Sequence, residues 1–143
     1  MAHHPRVEEI EFHLRKIAVL IRHHTREMLG QYQLTLPQYY ALLHLRRQTM
    51  TMGELCGHLY LASSTVTDLV DRMEKLNYVR RVRDDKDRRV IRLQILDGGE
   101  EVIEKVMQDR MRFLSKKLNQ LDPNQAEALL QALSNLHSLM EAE

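Results

Sequence analysis

Apolar residues at Val7, Ile10, Leu14, Ile17, Ile21 and Met28 recur at gaps of 3, 4, 3, 4 and 7, the repeat of one face of a long α-helix. The spacing predicts a helix that starts at Val7 and stops near Gly30. A second helix is predicted around Pro37, whose ring presets the φ of a first helical turn, with Tyr39, Leu42, Leu43 and Leu45 turned inward. Thr51 and Glu54 stand at the spacing of a capping box and predict a short third helix carrying Leu55, Cys56 and Leu59. Ser63 is expected to cap a fourth, with Val66, Leu69, Val70, Met73 and Leu76 inside and Ser64, Thr65, Thr67, Asp68, Asp71, Arg72 and Lys75 outside. Asn77 falls where this helix would close on a left-handed residue, a conformation that Asn tolerates.

Beyond Asn77 the period changes from 3.6 to 2. Tyr78 to Arg83 and Val90 to Leu96 read as two strands, and the polar run from Asp84 to Arg89 between them as a hairpin tip. A fifth helix is predicted to open at Asp97, which would cap it, and to run to about residue 121. Asp122, Pro123 and Gln125 open a sixth helix with Leu129, Leu133, Leu136 and Met140 on one face. Two short helices joined by a tight turn and followed by a hairpin make a winged helix-turn-helix. The expected fold is mainly α with a small β-hairpin wing: a winged helix-turn-helix plus a helical dimerisation domain. A first helix of about 24 residues would span about 36 Å, more than a compact winged-helix module needs, so its apolar stripe is better explained by packing between subunits.

Composition narrows the class. A chain of 143 residues, 43% hydrophobic and 29% charged, is long enough for one core and lies outside the disordered regime. One cysteine excludes an intramolecular disulfide and a Cys-only zinc site. With no apolar signal region at the N-terminus and no apolar run of about 18 residues, a cytoplasmic protein without membrane contact is expected. No phosphate-cradling Gly loop, Ser/His/Asp set or paired-acid motif is present, which argues against an enzyme and against a cofactor.

The net charge of +1 conceals its distribution. Residues 72–92 carry nine cations and four anions, and the rest of the chain twelve cations and sixteen anions. That basic segment covers the end of the fourth helix and the hairpin, where a double-stranded DNA partner would lie. The short hydroxyl side chains of Ser63, Ser64, Thr65 and Thr67 permit close approach to a major groove, Arg72 suits a guanine or a phosphate, and Arg88 and Arg89 suit an adjacent minor groove. The candidate DNA-binding set is Ser63, Ser64, Thr65, Thr67, Asp68, Arg72, Lys75, Arg83, Asp87, Arg88 and Arg89. Asp68 is expected to pair with Arg72 on its own helix face rather than to oppose phosphate.

The run Leu69-Val-Asp-Arg-Met-Glu-Lys-Leu-Asn-Tyr-Val-Arg-Arg-Val-Arg-Asp-Asp-Lys-Asp-Arg-Arg-Val-Ile-Arg-Leu, followed by Gly99, resembles the recognition-helix-plus-wing signature of MarR-type bacterial transcriptional regulators. The order of elements is similar over nearly the whole chain. The resemblance implies one MarR-like domain over 1–143, with the winged helix-turn-helix in 34–97 and the dimerisation helices in 7–30 and 98–141. It implies a homodimer on a pseudo-palindromic DNA operator, often released by a small lipophilic or phenolic effector. It also implies that Arg89 enters the minor groove while Asp87 braces the wing. Three positions depart from the family pattern: Asn77 stands for Gly, Leu96 for Thr and Arg83 for Pro.

Ile17, Tyr39, Tyr40, Leu43 and His44 are compatible with a ligand pocket and equally with a plain core between the two parts. Cys56, on an apolar stripe with Leu55 and Leu59, reads as a small hydrophobe rather than a peroxide-sensing thiol. The eight histidines lack metal-ligand spacing, so no metal site is expected. The competing functions are a winged-helix module that binds protein and a redox- or metal-responsive regulator.

Overall fold

The structure, a computed structural model, describes residues 2–142. Among the described residues six helices and three strands follow one another as α1 (Val7–Gly30), α2 (Leu36–Arg47), β1 (Met50–Thr51), α3 (Met52–Leu59), α4 (Ser63–Lys75), β2 (Val79–Arg83), β3 (Ile91–Ile95), α5 (Asp97–Leu118) and α6 (Pro123–Glu141). The chain divides into two compact units, Met1–Met107 and Gln108–Glu143.

Capping chemistry sets most of the helix starts. Thr35 accepts from the Gln38 N–H, and the Gln38 side chain accepts from the Thr35 N–H, closing a reciprocal box at the head of α2. Asp122 and Gln125 make the same pair at the head of α6. At α3, Thr51 accepts from the Glu54 N–H at 3.1 Å, but the Glu54 carboxylate accepts from the Thr51 hydroxyl at 3.2 Å, so the box is only half formed. Two expected caps differ. Ser63 is the first helical residue of α4 and extended Ala62 takes the cap position without a side-chain bond. Likewise α5 begins at Asp97 itself, and the Leu96 carbonyl accepts from the Glu100 N–H.

The hairpin pairs Val79 with Ile95 and Arg83 with Ile91, both strands antiparallel. A third strand was not expected: β1 pairs Met50 with Leu93 and makes the sheet order β1-β3-β2. Two residues are too few to show a period of 2, and Thr51 carries the stronger signal of a helix cap.

In the first unit, α2, α3, α4, the sheet and the start of α5 share a core that includes Leu42, Leu45, Leu55, Val66, Val70, Met73, Leu93 and Ile103. Buried Gln38 adds a polar link, donating from Nε2 to the Leu69 carbonyl of α4 at 3.3 Å. Cys56 packs against this core, half-buried, which supports its reading as a small hydrophobe. Only Thr25 and Leu29 of α1 are buried, while Ile10, Leu14 and Ile17 remain exposed. In the second unit α6 buries no residue, and Leu130 and Met140 are 59% and 70% exposed. Among the described residues no helix is long and apolar enough to cross a membrane.

Gly99 sets the seat of α5. A Cβ there would stand 2.5 Å from the Tyr78 carbonyl oxygen, 2.8 Å from Ile95 Cγ1 and 3.2 Å from Leu42 Cδ2. Backbone and core side chains cannot both retreat, so Gly99→Ala is expected to lower stability by about 1–3 kcal/mol. Urea denaturation checks this, and an unchanged midpoint would mean that α5 can shift off the hairpin at no cost.

Candidate nucleic-acid interface

The first turns of α4 present Ser63, Ser64, Thr65 and Asp68, all exposed, because Val66, Val70 and Met73 hold the opposite face in the core. Thr67 is half-buried, and its hydroxyl donates back to the Ser63 carbonyl at 2.9 Å. Further along, Arg72 and Lys75 are exposed, and among the described residues neither has a carboxylate partner. The expected pair of Asp68 with Arg72 does not form. The acids of this helix that find a cation are Asp71 and Glu74, and the cation is Arg81 of β2.

Arg81 ties the wing to the helix. Its Nη2 lies 2.7 Å from Asp71 Oδ1 and its Nη1 2.5 Å from Glu74 Oε1, while its backbone N–H donates to Glu74 Oε2 at 3.2 Å. The hydrogen bond to Asp71 is the largest influence holding the guanidinium charged, opposed by burial and reinforced by Glu74. The left-handed turn that allows this approach is Asn77, with φ 62°, and the Tyr78 N–H closes it on the Met73 carbonyl at 2.9 Å. Asn therefore fills the position that the family pattern gives to Gly. Asp71, Glu74 and Arg81 were missed as a site in the sequence; the available signal was two acids three residues apart on a helix face, followed by a cation in the next strand.

The wing tip is built by its own carboxylates. Asp84 accepts from the N–H groups of Lys86 and Asp87 at 3.1 and 3.0 Å through one oxygen, and from Arg92 Nε at 2.8 Å through the other. Those bonds, the one from Arg92 first, hold the Asp84 carboxyl below its ordinary pKa. Arg92 also approaches Glu54 of α3 at 3.9 Å. Asp87 accepts from Arg89 three times, from the backbone N–H at 3.0 Å, Nε at 3.2 Å and Nη2 at 3.3 Å. Its carboxyl is likewise held low, chiefly by the Arg89 side chain. The Arg89 side chain is 92% exposed, so this pair contributes little to stability and instead fixes the direction of a guanidinium that stands in solvent. Arg88 is also exposed. Arg83 is turned into the tip, donating from Nη1 to the Arg88 carbonyl at 3.1 Å.

The five residues expected around a ligand pocket are placed differently from one another. Tyr39 is 2% exposed and belongs to the core, Ile17 and Tyr40 are exposed, and Leu43 and His44 are half-buried. A hollow of about 170 Å³ in the same unit lies elsewhere, lined by Tyr32, Tyr78, Glu101 and Lys105 among others. His44 stacks on His58 of α3 with ring centroids 4.8 Å apart. Its pKa is lowered, first by burial and then by His58 and Arg47. Among the described residues, no group of three or more His, Cys, Asp or Glu side chains is placed to hold a metal ion.

A sequence model of the MarR family matches residues 32–90, which contain α2 to the wing tip. An uncharacterised HTH-type transcriptional regulator of Bacillus subtilis is 48% identical over 109 residues, 76% of this chain and 75% of its own length. A MarR family protein from Bacillus stearothermophilus superposes with a TM-score of 0.81 at 40% identity, covering 98% of this chain and 99% of the other. A transcriptional regulator from Thermotoga maritima gives a TM-score of 0.84 at 35% identity over 94% and 95% of the two chains. A half-exposed helix with its braced basic wing, in a chain this similar to those regulators, settles the family: the protein belongs to the MarR family of winged helix-turn-helix transcriptional regulators.

Proposed function

We propose that this DNA-binding regulator acts as a homodimeric repressor on a pseudo-palindromic operator, with α4 of each subunit in a major groove and each wing in the flanking minor groove. The observation that carries the reading is Arg89: a solvent-exposed guanidinium oriented by Asp87, on a wing tied to α4 through Arg81. A narrow minor groove has the strongest negative potential on a duplex and attracts such an arginine. Ser63, Ser64, Thr65 and Asp68 then meet the groove floor, and Arg72, Lys75 and Arg88 meet base edges or phosphates.

The exposed apolar faces of α1 and of α6 support the dimer. Leu14, Ile17 and Leu20 on one helix and Leu130, Leu133 and Met140 on the other are each open to solvent in the single chain, and large apolar patches of this kind mark association surfaces. A second copy covers them. Two-fold symmetry then sets half-sites about 10 bp, or ~34–36 Å, apart. Repression follows from occupancy of a promoter, which asks for no further contact. A small lipophilic effector beside Ile17, Tyr40, Leu43 and His44 would release DNA only by the difference in its affinity for the free and the operator-bound dimer.

DNA binding by several Lys and Arg contacts must weaken steeply with salt. Titrating a labelled duplex with the protein at increasing KCl is expected to give a linear fall of log K with log salt, and a flat response would favour a protein-binding module instead. Arg89→Ala is expected to weaken binding roughly tenfold or more and to make that slope shallower by about 1 per subunit, with the unfolding midpoint unchanged. Undiminished affinity would remove the wing from the account. Arg81→Met should cost about 1 kcal/mol of stability, as a partly exposed ion pair does. Because it frees the wing from α4, its loss of DNA affinity should exceed what that destabilisation explains; full affinity in a folded Arg81→Met dimer would show that the tie is not needed.

A further inference from the structure

Tyr60 ends α3 with φ 55° and ψ 39°, a left-handed conformation that disfavours any residue bearing a Cβ. The helix closes with the N–H groups of Tyr60 and Leu61 both donating to the Cys56 carbonyl, and Gly is the common residue at such a left-handed position. Among the described residues two other non-glycine residues have positive φ, Gln33 and Asn77, and Tyr60 is the aromatic one of the three. Tyr60 is 93% exposed, whereas Leu59 and Leu61 on either side pack against the core. Among the described residues the phenol has no hydrogen-bond or ring partner.

A bulky residue held in a disfavoured conformation, with its ring in water, is where a functional contact is to be sought. Tyr60 lies two residues before the Ala62 cap of α4, so its Cα is within about 11 Å of that of Ser63. In a helix-turn-helix the N-terminal end of the second helix enters the major groove while the first helix crosses the backbone. The turn joining the two therefore lies beside the groove edge. A phenol offers a flat apolar ring and a hydroxyl at its tip, and tyrosine hydroxyls are among the groups that hold phosphates and so set register on a duplex.

We propose that Tyr60 is a further DNA-contacting residue, whose hydroxyl donates to a backbone phosphate at the edge of the groove that α4 occupies. This rests on the DNA-binding reading above. Being neutral, Tyr60 displaces no counterion, so its loss lowers affinity without altering the salt slope, unlike the loss of an arginine.

The test uses the tightest duplex that the wild-type protein selects from a random-sequence pool, with affinity measured against salt and the unfolding temperature measured in parallel. Tyr60→Gly is expected to raise the unfolding temperature by about 2–4 °C, since Gly relieves the backbone. It should also weaken duplex binding roughly tenfold at every salt concentration, as loss of a hydrogen bond to a charged group does. Tyr60→Phe, which keeps the ring and loses the hydroxyl, should weaken binding to a similar degree. Wild-type affinity in either variant overturns the assignment of Tyr60 while leaving the wing and α4 in place. A wild-type protein that selects and binds no duplex overturns the DNA-binding reading, and this proposal with it.

Discussion

Arg81 lies on the first strand of the wing with its guanidinium between Asp71 and Glu74 of α4, and this contact ties together the two elements proposed to face DNA. Besides it, the hairpin is joined to α4 by the turn at Asn77, which the Tyr78 N–H closes on the Met73 carbonyl, and by the shared core that holds Val79 and Leu93. Phosphate and groove contacts made by parts that move independently lose affinity to ordering each time they form, whereas a helix and wing already held in register present their cations together. The energy of the pair is modest at a half-exposed site, so its value lies in position rather than in stability.

The same economy runs through the wing tip. Asp84 and Asp87 cancel part of the local positive charge, yet each accepts several backbone or guanidinium donors that would otherwise be left to water. The anions of the wing therefore shape it: Asp84 closes the turn and Asp87 aims Arg89. The positive excess of residues 72–92 remains, and the excess of anions over cations in the rest of the chain, sixteen against twelve, limits attraction to arbitrary polyanions.

Wherever an element announces itself by period or by cap, the sequence makes it legible. The stripe of Val66, Val70 and Met73, the box of Asp122 with Gln125, the stop at Gly30 and the left-handed Asn77 are local features, and the structure places them as local physics requires. What escaped was set by partners far along the chain. Strand β1 exists because Leu93 is there to pair with Met50, and Asp71 turns to Arg81 because the hairpin folds back over α4, which intrahelical spacing to Arg72 cannot foresee. Ser63 lost its cap role to Ala62 by one residue, a shift that frees its hydroxyl for solvent. Tyr39 carries a helix-face signal that serves a pocket wall and a core equally well, and burial alone decided for the core. Tyr60 gave no signal, because a positive φ at a tyrosine is visible only in the backbone.

In the proposed mode of action α4 and its tied wing form one rigid reader of DNA, used twice by a symmetric dimer. Selection of bound duplexes from a random-sequence pool tests it most directly. The expected product is an inverted repeat whose half-sites are about 10 bp apart, one helical turn, with preference for a narrow minor groove outside each half-site, where the wings would lie. Enrichment of a single asymmetric site, or of no sequence at all, would contradict it.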